Sequence, residues 1–273
     1  MRFLLAAVAA ALLAGCNGLF YYPMTGTLTT PEALDLAYED FFVPSDPGVR
    51  LHFWRIAAAG KRRGTVLQLH GNAENMTSHF LFVVWLAQKG YDVVAFDYRG
   101  YGESTGTATR RGLVDDARVA LRVAAAKGGP IYVVAQSLGG AIAVPAIVEE
   151  HPTALKAVVL DSTFASYRSM ARDKLAEHWF SWPLQWPLSF LVTDDWSPLD
   201  AASRFTWPVA VVHAPRDPVV PYAQGVALYA ALGTKNKEFW NVDAAQHTYA
   251  FSDAADAMVL RERLVHFFEK WSG

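Results

Sequence analysis

Three side chains, Ser137, Asp217 and His247, are of the types that together perform nucleophilic hydrolysis. A serine hydroxyl attacks poorly until a base takes its proton, and an imidazole base needs an acid to orient it and stabilise its charge. Ser137 stands at the end of the apolar run "IYVVAQ" (131–136), and Leu138, Gly139 and Gly140 follow it at once. A strained strand-to-helix turn requires such a clearing, because the turn must close tightly while a substrate reaches the hydroxyl. Asp217, in "VVHAPRDPVVP", lies just past a second apolar run, and His247, in "WNVDAAQHTYAF", lies past the last one. Asp161 also ends an apolar run, in "LDSTF", and competes with Asp217 for the place of the acid. His70 falls in a His-Gly turn, where hydrogen-bonded support of a loop is the plainer role. His151, His178, His213 and His266 have ordinary helix, insertion or strand contexts. No His-Glu-x-x-His or cysteine–histidine spacing points to a metal, and no cofactor is expected.

The elements that must hold these groups are legible as a rhythm. "YEDFFVPS" and "VRLHFWRIAA" flank "DPG" (46–48), a hairpin signal with Pro and Gly at turn positions. Short apolar runs then follow at 65–70, 91–98, 131–136, 156–161, 209–214 and 238–243. Segments long enough for a helix, such as "NMTSHFLFVVWLAQKG" and "RGLVDDARVALRVAAAKG", separate successive runs. Strands alternating with helices predict an α/β fold, a mostly parallel sheet with helices on both faces. In such sheets ligands bind beyond the carboxyl ends of the strands, where Ser137, Asp161 and Asp217 lie. Residues 166 to about 200 break the rhythm. They carry Trp179, Trp182, Trp186 and Trp196 with Pro183 and Pro187, and predict a short helical lid insertion whose tryptophans pack onto the core and wall a pocket.

The motifs "LHGNAEN" (69–75), "DYRGYGES" (97–104), "AQSLGGA" (135–141) and "RDPVVP" (216–221), with His247, resemble those of α/β-hydrolase superfamily serine hydrolases. The similarity runs along nearly all of the chain beyond its leader and is nearest to monoacylglycerol-lipase-like and depalmitoylase-like enzymes. It implies the α/β-hydrolase fold and a Ser137–Asp217–His247 triad acting through an acyl-enzyme, and it favours Asp217 over Asp161. It also implies an oxyanion hole from the backbone N–H groups of Leu138 and Asn72. The side chain of Asn72 could equally brace its turn or cap the next helix. "DYRGYGES" reads as a glycine-shaped turn, with Tyr101 a candidate for the pocket rim. The sequence departs from the family's pattern at Ala135, where the elbow has glycine, and at Gln246, where glycine commonly precedes the histidine.

The first residues read differently. Arg2 precedes the apolar stretch Phe3–Gly15, too short for the about 20 residues that cross a bilayer but suited to an export signal. It closes on "LAGC" (13–16), which looks like a bacterial lipobox. Residues 1–15 are then a lipoprotein signal peptide, Cys16 the lipidated (palmitate-bearing) mature terminus, 16–36 a tether and 37–273 the hydrolase domain. Stable anchoring takes more than one acyl chain. Asn17, in place of an inner-membrane-retaining aspartate, favours the outer membrane if the cell is Gram-negative.

The chain of 273 residues is 52% hydrophobic with a formal net charge of −2, ample for one large domain and without a basic stripe for nucleic acid. The cluster Lys61–Arg63 lies between predicted strands and reads as a solvated turn. The expected reaction is hydrolysis of small-molecule or lipid-derived carboxylic esters with apolar acyl or aryl groups. Thioester or peptide cleavage would use the same groups, and a non-catalytic membrane-anchored binding lipoprotein is the alternative of another class. That alternative predicts loss of the serine, the histidine or the small elbow residues, and all are present.

Overall fold

The computed structural model describes residues 20–243, 246–252, 254 and 257–273. The expected signal peptide and Cys16 lie outside the described residues. Strands β1 (Tyr38–Pro44) and β2 (Arg50–Ile56) form the expected hairpin around residues 46–48. There follow β3 (Gly64–Leu69), α1 (Met76–His79), β4 (Tyr91–Phe96), α2 (Arg110–Ala125), β5 (Ile131–Gln136), α3 (Leu138–Glu150) and β6 (Leu155–Asp161). The chain then passes through α4 (Tyr167–Ala176), α5 (Gln185–Ser189) and α6 (Pro198–Ala202) before β7 (Val209–His213), α7 (Tyr222–Ala231), β8 (Lys237–Asn241) and α8 (Met258–Lys270).

The eight strands make one sheet in the order β1-β2-β4-β3-β5-β6-β7-β8. The β1–β2 and β2–β4 pairings are antiparallel, and every later pairing is parallel. The α/β expectation is met, and the six apolar runs are strands. Burial explains why these runs are continuous rather than alternating. In β5, Ile131, Val133 and Ala135 join one core with α2 and α3, while Tyr132 and Val134 join a second core with α8 on the opposite face.

One helix differs from its expectation. "NMTSHFLFVVWLAQKG" forms only the short α1 and then two 3-10 turns, Phe80–Phe82 and Val84–Lys89. Phe80, Val83 and Leu86 are all fully buried. Their three-residue spacing lines one edge of a 3-10 helix, and the β-branched pair Val83–Val84 gives the α form little advantage.

Candidate active site

Ser137 sits between β5 and α3 with φ 53° and ψ −116°, a left-handed conformation that a serine adopts only when its surroundings enforce it. The enforcing contacts are bonds of its own backbone, one with a main chain and one with a side chain. The Ser137 N–H donates to Asp161 O at 2.8 Å, and the Thr163 hydroxyl donates to Ser137 O at 2.5 Å. The clearing beside the serine is real. A Cβ on Gly139 would collide with Leu69 O and stand 2.6 Å from His70 O, both fixed backbone atoms. Ala135 is fully buried in β5 between Leu69 and Leu160, so its extra methyl is accommodated in the sheet. Gly139→Ala should therefore lower stability by about 3 kcal/mol, the upper range of overpacking. A thermal melt should fall by roughly 6–12 °C; an unchanged melt would mean that the elbow is not closed as described.

Asp217 and His247 meet. The Nδ1–H of His247 donates to Asp217 Oδ2 at 2.8 Å, and Asp217 Oδ1 accepts the N–H groups of Val219 (2.8 Å) and Val220 (3.0 Å). Burial works against the Asp217 charge, but the bond from His247, its positive field and the two amides outweigh that, holding the carboxyl below its ordinary range. His213, fully buried at the end of β7, lies 3.8 Å from the same carboxylate and donates from Nε2 to Val220 O. Burial lowers its basicity, which keeps it a neutral prop for the Asp217 loop.

Asp161 takes a different place. Its Oδ1 accepts the Ser162 hydroxyl at 3.1 Å and its Oδ2 faces Gln136 Nε2 at 3.5 Å, while Ser162 Oγ accepts the Thr248 N–H at 3.2 Å. Asp161 and Ser162 thus fasten the residue next to His247. Ser162 (φ 52°) and Thr248 (φ 54°) are both left-handed, so this clasp holds a strained backbone on either side. Burial raises the Asp161 pKa to about 6, against the opposing pull of His247 and of the Ser162 and Gln136 bonds. A raised folded value means that the folded protein holds this proton more tightly than the unfolded chain. The stability it contributes is complete below about pH 4 and is lost as pH rises through about 6. Asp161→Asn, which cannot ionise, should remove that decline. Between pH 4 and 7 urea unfolding should show variant and wild type diverging by on the order of 3 kcal/mol, and parallel profiles would refute the buried titration.

The loop after β3 passes directly over the serine. A Cβ on Gly71 would come 3.7 Å from that of Ser137. Asn72 Oδ1 accepts the Tyr22 N–H at 3.0 Å and the Tyr101 hydroxyl at 2.9 Å, so its side chain braces the turn, while Asn75 caps α1. Tyr101 is fully buried beneath the loop, not on the rim where the sequence placed it; its hydroxyl is spent on Asn72. His70 props the same loop, with Nδ1 2.8 Å from Gly71 O and Nε2 3.3 Å from Asp97 Oδ1.

Ser137, Leu138 and Asn72 open onto a cavity of about 590 Å³. Its walls are aliphatic and aromatic, drawn from α4, from Leu188 and Leu191 around α5, and from Val219 and Val220. The insertion's tryptophans do not build it. Trp179, Trp182 and Trp186 face outward, because the shorter Met170, Leu175, Leu188 and Val192 already fill the inner side. Phe20 and Tyr22 also line the cavity, and Asn75 Nδ2 donates to Met24 O and Gly26 O, so the segment expected as a tether is fastened to the site. The aromatic cluster "FYY" (20–22) was the available signal for this wall; nothing in the sequence marks Ser162 as the clasp on the His247 loop. Among the described residues no group of His, Cys, Asp and Glu could hold a metal ion.

Against known proteins, residues 60–194 match the family model described as "Serine aminopeptidase, S33". The alpha/beta hydrolase domain-containing protein WAV2 of Arabidopsis thaliana is 30% identical over 282 residues, covering 96% of this chain and 90% of WAV2. The lysophosphatidylserine lipase ABHD12 of Mus musculus is 30% identical over 239 residues, covering 77% of this chain and 58% of its own length. A crystal structure of the Pyrococcus furiosus esterase Pf2001 superposes with a TM-score of 0.73 at 22% identity, covering 93% of this chain and 99% of that one. The sheet order, the elbow after β5 and full-length similarity to WAV2 agree: the chain belongs to the α/β-hydrolase superfamily.

Proposed function

We propose that this protein is a serine hydrolase of carboxylic esters bearing apolar acyl or aryl groups. The observation that carries the reading is the oriented His247–Asp217 pair (2.8 Å) in a fold whose strained Ser137 opens onto an apolar cavity. In the reaction, Ser137 Oγ bonds to the ester carbonyl carbon as His247 takes its proton. The tetrahedral oxyanion is held by the N–H groups of Leu138 and Asn72. His247 then protonates the departing alcohol, and an acyl-enzyme remains. Water, deprotonated by His247, releases the acid and restores the serine. Removing one oxyanion donor typically costs about 2.7–4 kcal/mol, so the backbone of the loop after β3 matters more than its side chains.

The family model's name raises the question of peptide substrates. An aminopeptidase must receive a substrate ammonium, which calls for a carboxylate. Among the described residues lining the cavity the one charged side chain is Lys174, paired with Glu177 at 2.6 Å. That lining favours an uncharged acyl chain, and the lipase activity in ABHD12's name accords with it. A panel of p-nitrophenyl esters, monoacylglycerols, acyl thioesters and aminoacyl anilides tests this. Turnover should be highest for medium or long acyl esters, and a preference for anilides would overturn it.

We also place the protein at a membrane, exported and lipidated at Cys16. The motif "LAGC" after an apolar leader supports this. In fractionated cells Cys16→Ser should move most of the enzyme from the membrane-integral to the carbonate-extractable fraction. An unchanged distribution would count against lipidation.

A further inference from the structure

Among the described residues, none buries the outward face of the insertion. Trp179 is 87% exposed, Phe180 66%, Trp182 60%, Trp186 57% and Phe190 63%. Five large aromatics on one short stretch exceed the scattered apolar exposure normal for a soluble surface and mark an interaction site. We propose that this face docks on a lipid bilayer, its tryptophan and phenylalanine rings seated among headgroups and upper acyl chains, so that the cavity mouth opens onto the membrane.

Three observations select a bilayer over other occupants. The first is where the chain leads. Phe20 and Tyr22 form part of the cavity wall beside Leu188 and Leu191, which adjoin Trp186 and Phe190. Cys16 is four residues before Phe20, so its backbone can stand no more than about 14 Å from that wall residue. An anchor that short holds this face, rather than the opposite end of the sheet, against the lipid. The inference rests for its orientation on the proposed lipidation of Cys16. The second is composition. Tryptophan and phenylalanine beside Pro183 and Pro187 suit the amphipathic interface of a bilayer, where one edge of an indole stays wet and the other is buried. The third is charge. The basic side chains of α4 near this face are already engaged: Lys174 pairs with Glu177, Arg168 Nε donates to Val192 O at 3.0 Å, and Arg172 lies over the Trp186 ring at 4.5 Å. Attraction to anionic lipid is therefore not what brings the face down; burial of apolar surface is.

The consequence is functional. A substrate residing in the membrane would pass from the bilayer into the 590 Å³ cavity without crossing water. A soluble ester would gain nothing from docking.

The test uses the full-length lipidated protein on phosphatidylcholine vesicles with bromine-labelled acyl chains. It compares wild type with a variant carrying Trp179→Ser, Phe180→Ser, Trp182→Ser and Trp186→Ser. None of the four residues lines the cavity, so turnover of soluble p-nitrophenyl butyrate should be equal in the two proteins and shows that the variant is folded. Bromine should quench the wild-type tryptophan fluorescence, and 0.5 M salt should leave that quenching unchanged. The variant should lose the bromine-dependent quenching while still sedimenting with the vesicles through its anchor. Its hydrolysis of a monoacylglycerol embedded in the vesicles should fall by at least about tenfold, since docking supplies the local substrate concentration. Equal quenching per remaining tryptophan, equal turnover of the embedded ester, a requirement for anionic lipid at low salt, or a dimer in solution that the four substitutions dissolve would each overturn the proposal. The underlying readings fail separately. If Cys16 carries no anchor, Cys16→Ser sediments like wild type, and an inactive site leaves soluble and embedded esters alike untouched while the quenching still reports on docking.

Discussion

Ser137→Ala should lower kcat/KM on a p-nitrophenyl ester by at least about 10⁴-fold and abolish labelling by a fluorophosphonate, with KM and the melting temperature nearly unchanged. The size of the loss follows from the chemistry. Without the hydroxyl no acyl-enzyme forms, and water must attack directly in a site shaped for a covalent intermediate. Residual acceleration would then come from the oxyanion donors and from binding alone. The loss should be kinetic and not structural, because the Ser137 side chain makes no capping bond to α3 and the elbow is held by its backbone partners Asp161 and Thr163. Alanine can occupy φ 53° at a strain similar to that of serine. Wild-type protein that fails to label, or a variant that labels equally, would remove the basis for nucleophilic catalysis. A variant that loses activity together with many degrees of melting temperature would show that the serine serves the fold.

Which parts of this molecule could be read before its coordinates follows from the range of the interactions. The central strands were legible because each is buried on both faces, and burial writes a continuous apolar run into β3, β4, β5, β6 and β7. The elbow was legible because distant neighbours leave their mark on the local residue type: Gly139 and Gly140 carry no side chain where Leu69, His70 and Thr163 approach. What depends on contacts between distant segments was not legible. Tyr101 reads as a pocket-rim candidate in a turn until Asn72, 29 positions earlier, is placed above its hydroxyl. Ser162 is an ordinary serine until Thr248, 86 positions later, leans on it. The insertion's tryptophans were expected to pack inward because large aromatics usually do, and nothing in their order tells an inner stripe from an outer one. Aliphatic residues of α4 and the turns around α5 occupy the inner side, so Trp179, Trp182 and Trp186 face out, whereas Trp196 packs partly buried against the core as expected.

The two strand-end carboxylates should respond unequally to the same isosteric change. Asp217→Asn should lower kcat by about 10⁴-fold with little effect on KM, as expected when an imidazole is left in the wrong tautomer. The carboxylate accepts the Nδ1–H of His247 at 2.8 Å and so leaves the lone pair on Nε2, the nitrogen that must take the serine proton. An amide in its place can donate to Nδ1, which moves the ring proton to Nε2 and abolishes the base. It also removes the negative charge that stabilises the imidazolium. Asp161→Asn should cost no more than about tenfold, because Asp161 acts on the His247 loop only through Ser162 and Thr248. The pH profiles separate the two roles. With Asp217 intact the acid limb of kcat/KM should survive in Asp161→Asn. Asp217→Asn should lose its limb or regain rate only at high pH, where hydroxide can replace the base. The reverse order, with Asp161→Asn the more damaging, would transfer the acid to β6. The geometry argues against that transfer, since both Asp161 oxygens already face Ser162 and Gln136, whereas the Asp217 loop spends two backbone amides and a buried His213 on aiming one oxygen at the imidazole.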